Sequence, residues 1–302
     1  MINFKNGIQS TVATSNIVQV GKFCDLHTHS TFSDGTDTPT ELIRKAEQAK
    51  LAVIALTDHN SVAGLPEFMK AAKDSNIIAV PGVEFTTAHA GKELHVVGLF
   101  IKEEVYQQVE DYCEPMRKAK EISNRLLIDN LRKAGYAVEY EEMVNYVQVE
   151  NINRAVIASY LIEKRIIKTR EEGFRTILSE RGGYYVPSPK PSTLETIQFI
   201  KSIGGVAVLA HPLLEMEVEE LRDFLPEAKQ HGLDAIETNY STYDSYKKNC
   251  ALRLVRENEL LFSGGSDYHG KNKPMIKVGV GKGNLKVPME YYTDLAKRAE
   301  KK

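Results

Sequence analysis

Residues 51–60, LAVIALTDHN, join an apolar run to two polar residues that could carry chemistry, Asp58 and His59. The aliphatic and β-branched composition of the run is typical of a strand buried in a parallel sheet. Helices are predicted on both sides of it, at TPTELIRKAEQAK and GLPEFMKAAKDSN, and the next strand is predicted at IIAVPGVEFT. This alternation of strands and helices predicts an α/β fold, with a parallel sheet or barrel and helices outside.

The alternation is interrupted once, by a polar block rich in Lys, Glu, Arg and Gln. Because the block has helical periodicity and no convincing strand, we expect an inserted helical subdomain. After it, strands are again predicted at GVAVLAHP, DAIETNYS and LLFSGGSDYHG. The predicted organisation is an N-terminal arm at 1–19, a barrel core at 20–100 and 186–290, a helical insertion at 101–185 and a C-terminal helical tail at 291–302.

Composition limits the kinds of function. The chain has 302 residues and a net charge of −2, which argues against a polyanion-binding surface over the whole molecule but not against a small basic pocket. No apolar run approaches the roughly 20 residues that cross a bilayer. The three cysteines are widely separated and outside any CxxC spacing, as is typical of reduced thiols. We therefore expect a cytoplasmic protein with no membrane partner and no obligate protein partner.

Residue types that bind metals stand at the ends of the predicted strands. In parallel barrels these ends converge on one mouth, where the chemistry takes place. His95 fits less well, because it stands near the start of its strand. Six of the eight histidines belong to the set, whose members are His27, His29, Asp34, Asp58, His59, Glu84, His95, His211, Asp267 and His269.

A metal cluster explains this set better than ordinary buried histidines do. A single HxH pair is a weak signal, although side chains two residues apart in a strand share a face, as a metal requires. Burying several imidazoles and carboxylates together would be costly without a compensating cation. Imidazole and carboxylate ligands without thiolates suit Mn, Fe or Zn, and their number implies about two to three divalent ions. Such ions activate water and hold the oxygens of a phosphoryl group.

The same segments resemble the motifs of a known family. DLHTHSTFSDGT, ALTDHN, PGVEFT, HVVG, GGVAVLAHP and GGSDYH are similar, in this order, to motifs of the PHP (polymerase and histidinol phosphatase) family. They most resemble its stand-alone bacterial phosphoesterases, which act on nucleoside monophosphates or 3′,5′-bisphosphates. The resemblance implies a distorted (β/α)7 barrel with a helical insertion and with metal ions at the C-terminal ends of the strands.

The resemblance also implies three metal positions, with Glu84 bridging the first two. The ligands would be His27, His29, Glu84 and Asp267 for the first ion, Glu84, His95 and His211 for the second, and Asp34, His59 and His269 for the third. Manganese is the first expectation, with iron or zinc as alternatives. Asp58 is not a ligand in this scheme, and we expect it either to orient a histidine or to be a structural carboxylate.

The helical block resembles the inserted lid of the family, where a segment GRxHIA supplies a phosphate-contacting arginine. The corresponding segment is NRAVIA, so that Arg154 matches the arginine and Val156 stands where histidine is common. The valine at position 156 does not affect the predicted metal ligands, but it leaves the identity of the substrate open. Arg181 and Lys190, near the end of the block, are further candidates for substrate binding.

The resemblance therefore predicts a metal-dependent phosphoric ester hydrolase that removes phosphate from a small nucleotide. A hydroxide that bridges the ions would attack phosphorus, and the catalytic residues would be Glu84, Asp34, His269 and Arg154. Three alternatives stay open: a phosphatase of another metabolite such as histidinol phosphate, an enzyme that trims short RNA in the 5′-3′ direction, and a non-catalytic PHP binding module. The last is disfavoured because every ligand position is filled.

Overall fold

The structure is a computed structural model that describes residues 22–147 and 152–302. The predicted N-terminal arm, residues 1–19, lies outside the described residues. Within the two described ranges, no helix is long and apolar enough to cross a membrane.

One sheet forms the centre of the described molecule. Its strands are β1 (Phe23–Asp25), β2 (Val53–Leu56), β3 (Ile78–His89), β4 (Lys92–Leu99), β5 (Val206–Ala210), β6 (Ala235–Tyr240), β7 (Leu261–Gly265) and β8 (Val287–Pro288), in the spatial order β7-β6-β5-β4-β3-β2-β1-β8. The segments after β1 and β7 meet, because Leu26 N donates to Gly264 O at 3.2 Å and Asp267 N donates to His27 O at 2.9 Å. The sheet thus closes into a barrel, which confirms the predicted α/β barrel. The seven strands of the barrel that the resemblance implies are present as β1 to β7, and the short β8 is additional.

Strand β4 runs in the opposite direction to its neighbours. It pairs antiparallel with both β3 and β5, whereas the pairs β1–β2, β2–β3, β5–β6 and β6–β7 are parallel. The prediction of a parallel sheet is therefore wrong at this strand. The reason is local: a two-residue turn at Ala90 and Gly91, both with positive φ, joins β3 to β4 as a hairpin. The start of β4 consequently lies where the parallel strands end.

The described residues contain ten α-helices, which surround the barrel or form the insertion. They are α1 (Pro39–Gln48), α2 (Leu65–Lys73), α3 (Tyr106–Lys133), α4 (Tyr140–Val147), α5 (Arg154–Glu163), α6 (Arg170–Arg175), α7 (Thr193–Ser202), α8 (Val218–His231), α9 (Ser245–Glu257) and α10 (Met289–Ala299). A capping box starts α1: Glu41 N donates to Thr38 Oγ1 at 3.2 Å, and Thr38 N donates to Glu41 Oε2 at 2.8 Å. Pro39 at the first helical position has a φ suited to this start.

Helices α3 to α6 pack around a hydrophobic core of their own. Its fully buried side chains include Leu127, Ile157 and Leu178. The chain between β4 and β5 contains no strand among its described residues, as the sequence predicts. The block reaches the barrel where Arg117 of α3 donates to the carbonyl of Asn60 at 2.6 Å. It therefore lies over the end of the barrel at which the parallel strands finish, and the domain boundaries given above remain predictions.

Candidate metal centre

The structure brings all nine predicted metal ligands together at one end of the barrel. Eight of them are buried, and His95 is partly exposed. His95 reaches the same end because β4 is antiparallel, which explains a ligand-type residue near the start of a strand. In four groups the possible ligand atoms lie within 4.8 Å of one another: His29, Asp34, His59 and His269; His27, Glu84 and His211; His27, His29 and Asp267; and His59, Glu84 and His95.

The HxH pair presents both imidazoles to one point. Thr28, between them, turns to the other side and donates to a backbone carbonyl of β2 at 2.6 Å. The Nε2 atoms of His27 and His29 lie 3.1 Å apart. Both face Glu84 Oε2, at 3.3 and 3.2 Å, and Asp267 Oδ1, at 3.7 and 3.3 Å. These four residues are the ones predicted to hold the first ion.

Glu84 lies at the centre of the cluster, since imidazole nitrogens face both of its oxygens. Oε1 is 2.8 Å from His95 Nδ1 and 3.1 Å from His211 Nε2. Oε2 is 3.0 Å from His59 Nδ1 and also faces the HxH pair. Burial would raise the pKa of Glu84, but His59 and His27 outweigh burial and hold the pKa well below its usual value. The carboxylate is therefore ionised, as a metal ligand must be.

Asp34 lies on the side of the cluster that faces the insertion. Its Oδ1 is 3.2 Å from His269 Nε2 and 3.8 Å from His59 Nε2. Its Oδ2 accepts a hydrogen bond from Asn153 Nδ2, and Asn153 is the residue that caps α5. Burial would raise the pKa of Asp34, but His269 and His59 hold the pKa well below its usual value. The Asp34 carboxylate, a predicted ligand of the third ion, is thus ionised and contacts the insertion through Asn153.

The donor atoms of the cluster fit divalent cations. Glu84 Oε2 is buried and makes no hydrogen bond within the described residues, although three imidazole nitrogens lie 3.0–3.3 Å away. Burial, together with His269 and His59, lowers the pKa of His29 to about 4, so that this imidazole is neutral and able to bind a metal. A cation among these atoms would satisfy the orphaned oxygen. Nitrogen and oxygen donors without thiolates are suited to Mn, Fe or Zn.

Glu237, in β6, supports the cluster and was not predicted. Its Oε1 accepts from His27 Nδ1 at 2.9 Å, and its Oε2 accepts from His211 N at 2.8 Å. The first bond turns His27 Nε2 towards the cluster, and the second fixes the backbone of His211, where φ is +32°. The sequence held one signal for this role, an acidic residue in the middle of a predicted buried strand.

Asp267 is oriented by two further residues that no sequence pattern indicated. Tyr240 OH and Lys273 Nζ both donate to Asp267 Oδ2, at 2.7 and 2.6 Å. The other oxygen, Oδ1, is left to face His29 Nε2 and His269 Nδ1, each 3.3 Å away. Tyr240 and Lys273 therefore act as positioning residues for this carboxylate.

Asp58 lies behind the HxH pair and reaches it through serines. It accepts hydrogen bonds from Ser30 N at 2.7 Å, from Ser30 Oγ at 2.6 Å and from Ser33 Oγ at 2.5 Å. Ser33 Oγ lies 3.4 Å from His29 Nδ1. This arrangement agrees with the expectation that Asp58 orients a histidine, and it acts through Ser33.

A cavity of about 100 Å³ adjoins the metal cluster on the side of the insertion. His59 and His95 line it from the barrel. Lys120, Arg154 and Lys190 also line it, and these cations make it suitable for an anion. The cavity therefore connects the predicted metal ligands to a group of positive charges.

The three residues predicted to bind substrate differ in position. The guanidinium of Arg154 lies 4.3 Å from the centre of the Tyr185 ring, within the cavity lining. Lys190 lines the same cavity and forms an ion pair with Glu93 at 3.1 Å. Arg181 is exposed and is not among the residues that line the cavity. The structure thus brings Arg154 and Lys190, but not Arg181, next to the metal centre.

Lys120, in α3, lines the cavity and was not predicted. Within the described part of the chain, no carboxylate lies at ion-pairing distance from its ammonium group. Burial lowers the pKa of Lys120, as expected where a cation lacks an anionic partner. The sequence around it, EPMRKAKEISNR, is charged throughout, so nothing distinguished this lysine from its neighbours.

Comparisons with known proteins agree with this geometry. The family model described as the PHP domain matches residues 25–169. A 5′-3′ exoribonuclease of Haemophilus influenzae is 30% identical over 261 residues, covering 83% of this chain and 94% of that protein. The chain belongs to the PHP domain family. A second relative, a 3′,5′-nucleoside bisphosphate phosphatase of Chromobacterium violaceum, is 30% identical over 268 residues, covering 84% of this chain and 90% of that protein.

A solved structure from Bifidobacterium adolescentis, assigned as a metal-dependent phosphoesterase, has the same fold. The TM-score is 0.79 at 26% identity, and the match covers 91% of this chain and 96% of that chain. With the donor set described above, family membership defines the class of activity: the protein is a PHP metal-dependent phosphoesterase that uses divalent metal ions. The expectation of an enzyme is confirmed, and the alternative of a non-catalytic binding module is not supported.

Proposed function

We propose that this PHP enzyme removes phosphate from a small nucleotide, either a nucleoside monophosphate or a 3′,5′-nucleoside bisphosphate. The observation that carries the proposal is the cavity that joins His59 and His95 to Lys120, Arg154 and Lys190. A phosphate monoester carries a charge of about −1.5 to −2 at neutral pH, so it would offset these cations beside the metal centre. The Chromobacterium violaceum relative, a nucleoside bisphosphate phosphatase, supports a nucleotide.

The size of the cavity supports recognition of a phosphate group. Its volume is about 100 Å³. At about 30 Å³ for the share of one water molecule in the liquid, this is the space of about three waters. A phosphate group would fill this space, so the nucleoside would extend beyond it.

We propose that the centre holds about two to three divalent ions, with manganese as the first choice and iron or zinc as alternatives. The ligands would be His27, His29, Glu84 and Asp267 for the first ion, Glu84, His95 and His211 for the second, and Asp34, His59 and His269 for the third. When bound, the ions would lower the pKa of water and neutralise charge on the phosphoryl oxygens.

The cationic residues would bind and orient the phosphate. Arg154 can donate two parallel hydrogen bonds to phosphate, and its contact with Tyr185 at 4.3 Å restricts the plane of the guanidinium. Lys120 and Lys190 would add positive charge without that planar geometry. A nucleoside bisphosphate has a second, non-reacting phosphate, which suits a cavity with three cations better than a single phosphate does.

Trimming of short RNA in the 5′-3′ direction is a second candidate. The Haemophilus influenzae relative is a 5′-3′ exoribonuclease. A cavity that accommodates one terminal phosphate would leave the remainder of a strand outside. Histidinol phosphate has less support, because its ammonium group would add positive charge to a cavity already lined by Lys120, Arg154 and Lys190. A cytoplasmic location is part of the proposal, since the three cysteines are free and buried.

A screen of substrates with the Mn²⁺-loaded enzyme tests the proposal. The substrates are AMP, adenosine 3′,5′-bisphosphate, histidinol phosphate and a 5′-phosphorylated RNA trinucleotide. The proposal predicts release of inorganic phosphate, with the highest kcat/KM for one of the first two. Faster conversion of the trinucleotide to mononucleotides would favour the exoribonuclease instead. Turnover of histidinol phosphate alone would contradict both candidates.

A further inference from the structure

Asn153 joins two parts of the molecule through one side chain. Its Oδ1 accepts from Val156 N at 2.9 Å and so caps the N-terminus of α5. Its Nδ2 donates to Asp34 Oδ2 in the metal centre. The next residue, Arg154, lines the cavity. One amide group thus contacts both the helix that carries Arg154 and a proposed ligand of the third ion.

Asp34 uses its two carboxylate oxygens differently. Oδ1 faces His269 Nε2 at 3.2 Å and His59 Nε2 at 3.8 Å, whereas Oδ2 accepts from Asn153. The backbone carbonyl of Asp34 accepts from Asn272 Nδ2 at 2.7 Å. The direction in which Oδ1 points towards the histidines therefore depends on the bond at Oδ2.

A second connection links the insertion to the loop of Asp34. Arg170, the first residue of α6, donates to the carbonyl of Asn272 and, at 2.7 Å, to Ser159 Oγ in α5. Because Asn272 also donates to Asp34, both α5 and α6 are tied to this loop. Of these two connections, the one through Asn153 reaches the carboxylate itself.

Capping of α5 does not by itself require asparagine. Serine and aspartate cap helices about as well. Asparagine, however, has its acceptor and its donor on separate atoms, which can bond to separate partners. Serine would keep the cap and lose the reach to Asp34.

We infer that Asn153 couples the insertion to the metal centre, so that an ion at Asp34 and a phosphate at Arg154 strengthen each other's binding. An ion would fix the Asp34 carboxylate, and a phosphate would fix α5 through Arg154. Each ligand then stabilises the arrangement that the other requires, and such coupling is reciprocal. The inference rests on the proposed function, because it takes Asp34 as a metal ligand and Arg154 as a phosphate contact.

The test is a calorimetric titration of metal-depleted, full-length protein with Mn²⁺, with and without inorganic phosphate. In the wild-type protein, phosphate should tighten the weakest Mn²⁺ site by about tenfold. Asn153→Ser should reduce this effect to about threefold, the part that comes from direct contact between phosphate and the ions, while the number of bound ions stays the same. Mn²⁺ should also slow hydrogen exchange in α5 of the wild type and not of this variant.

Asn130→Ser is the matched control. It removes an amide hydrogen bond to the carbonyl of Tyr184, at 2.9 Å within the insertion and away from Asp34. This variant should keep the wild-type response to phosphate. An equal loss in both variants would indicate general loosening of the insertion and would overturn the inference.

The remaining outcomes separate the inference from the proposed function. If Asn153→Ser keeps the full effect of phosphate, the inference is overturned while the metal centre and the phosphate cavity stand. If phosphate does not change Mn²⁺ affinity in the wild type, the inference is overturned as well. The ion count from the same titration and the substrate screen then decide separately whether the proposed function holds.

Discussion

The metal end of the barrel and the insertion above it form two sides of one cavity, and they are built in different ways. At the metal end, buried histidines and carboxylates face one another, for example at 2.8 Å between His95 and Glu84. On the other side are cations, and of Lys120, Arg154 and Lys190 the described contacts pair Lys190 alone with a carboxylate. A preformed cluster is suited to one chemistry, whereas unpaired positive charge is suited to recognising an anion. The barrel should therefore determine the reaction, and the insertion should determine which phosphate ester receives it.

The largest effect should come from the centre of the metal end. Glu84→Gln keeps the shape of the side chain and removes the charge that would offset two adjacent cations. We expect activity to fall by a factor on the order of 10² or more, with fewer bound metal ions. Phosphate release and elemental analysis measure the two effects on the same preparation.

The exposed Glu103 offers a control for this change. Glu103→Gln removes the same charge far from the cluster and should leave both activity and metal content near the wild-type values. If Glu84→Gln turned over substrate at a near-normal rate, the proposed bridging role of Glu84 would be wrong.

A change on the side of the insertion should affect substrate binding without affecting the metals. Arg154→Ala removes a guanidinium that can form two hydrogen bonds to phosphate. We expect a loss of about 2–4 kcal/mol in kcat/KM, mainly through a higher KM, with bound metal unchanged. Steady-state kinetics on mono- and bisphosphates measures this loss, which should be greatest for substrates with a second phosphate.

Two other variants sharpen this result. Arg154→Lys should not restore the wild-type KM, because an ammonium group lacks the planar pair of donors. Arg181→Ala should behave like the wild type, since Arg181 is exposed and does not line the cavity. Equal effects of Arg154→Ala and Arg181→Ala would contradict the assignment of the phosphate contact to the cavity.

Removing the charge of Lys120 should have a smaller effect. The change should weaken substrate binding but stabilise the metal-depleted protein. Lys120→Met removes a cation that lacks an anionic partner within the described residues, so KM should rise by about tenfold. The free energy of unfolding of the metal-depleted protein should rise by up to about 1 kcal/mol, because a partly buried charge without a carboxylate partner is removed. Kinetics and denaturant unfolding measure the two changes.

Lys118→Met is the comparison, because the exposed Lys118 pairs with Glu114 on the same helix at 2.6 Å. It should leave KM unchanged and should not raise stability, since an exposed ion pair contributes little. A Lys120→Met variant that bound substrate normally would remove Lys120 from the phosphate site.

The metal end could be predicted from the sequence because its residues lie at fixed places relative to strands. His59 follows β2 and His211 follows β5, so the convergence of strand ends already brings them together. His95 did not fit that rule until β4 proved to be antiparallel. A two-residue hairpin turn reverses the direction of β4. The strand also pairs with β5, which is distant in the sequence, so its place in the sheet could not be predicted from the turn alone.

The supporting residues could not be predicted in this way, because their roles depend on contacts between distant segments. Glu237 reaches His27 across 210 positions of the sequence, and Asn153 reaches Asp34 across 119. Lys120 lies in a helix full of charges, where the sequence cannot tell a lysine that faces the cavity from one that faces water. Arg181 shows the opposite case, since this basic residue near the end of the insertion was predicted to bind substrate but does not line the cavity.

The number of metal ions per chain is the most direct test of a multinuclear centre, on which both the reaction and the binding of phosphate beside it depend. The measurement is elemental analysis of gently purified protein that has been supplied with Mn²⁺ and freed of unbound metal. We expect about two to three ions per chain, a number unchanged in Arg154→Ala and reduced in Glu84→Gln. A content of about one ion or fewer in the metal-replete wild type would contradict this expectation.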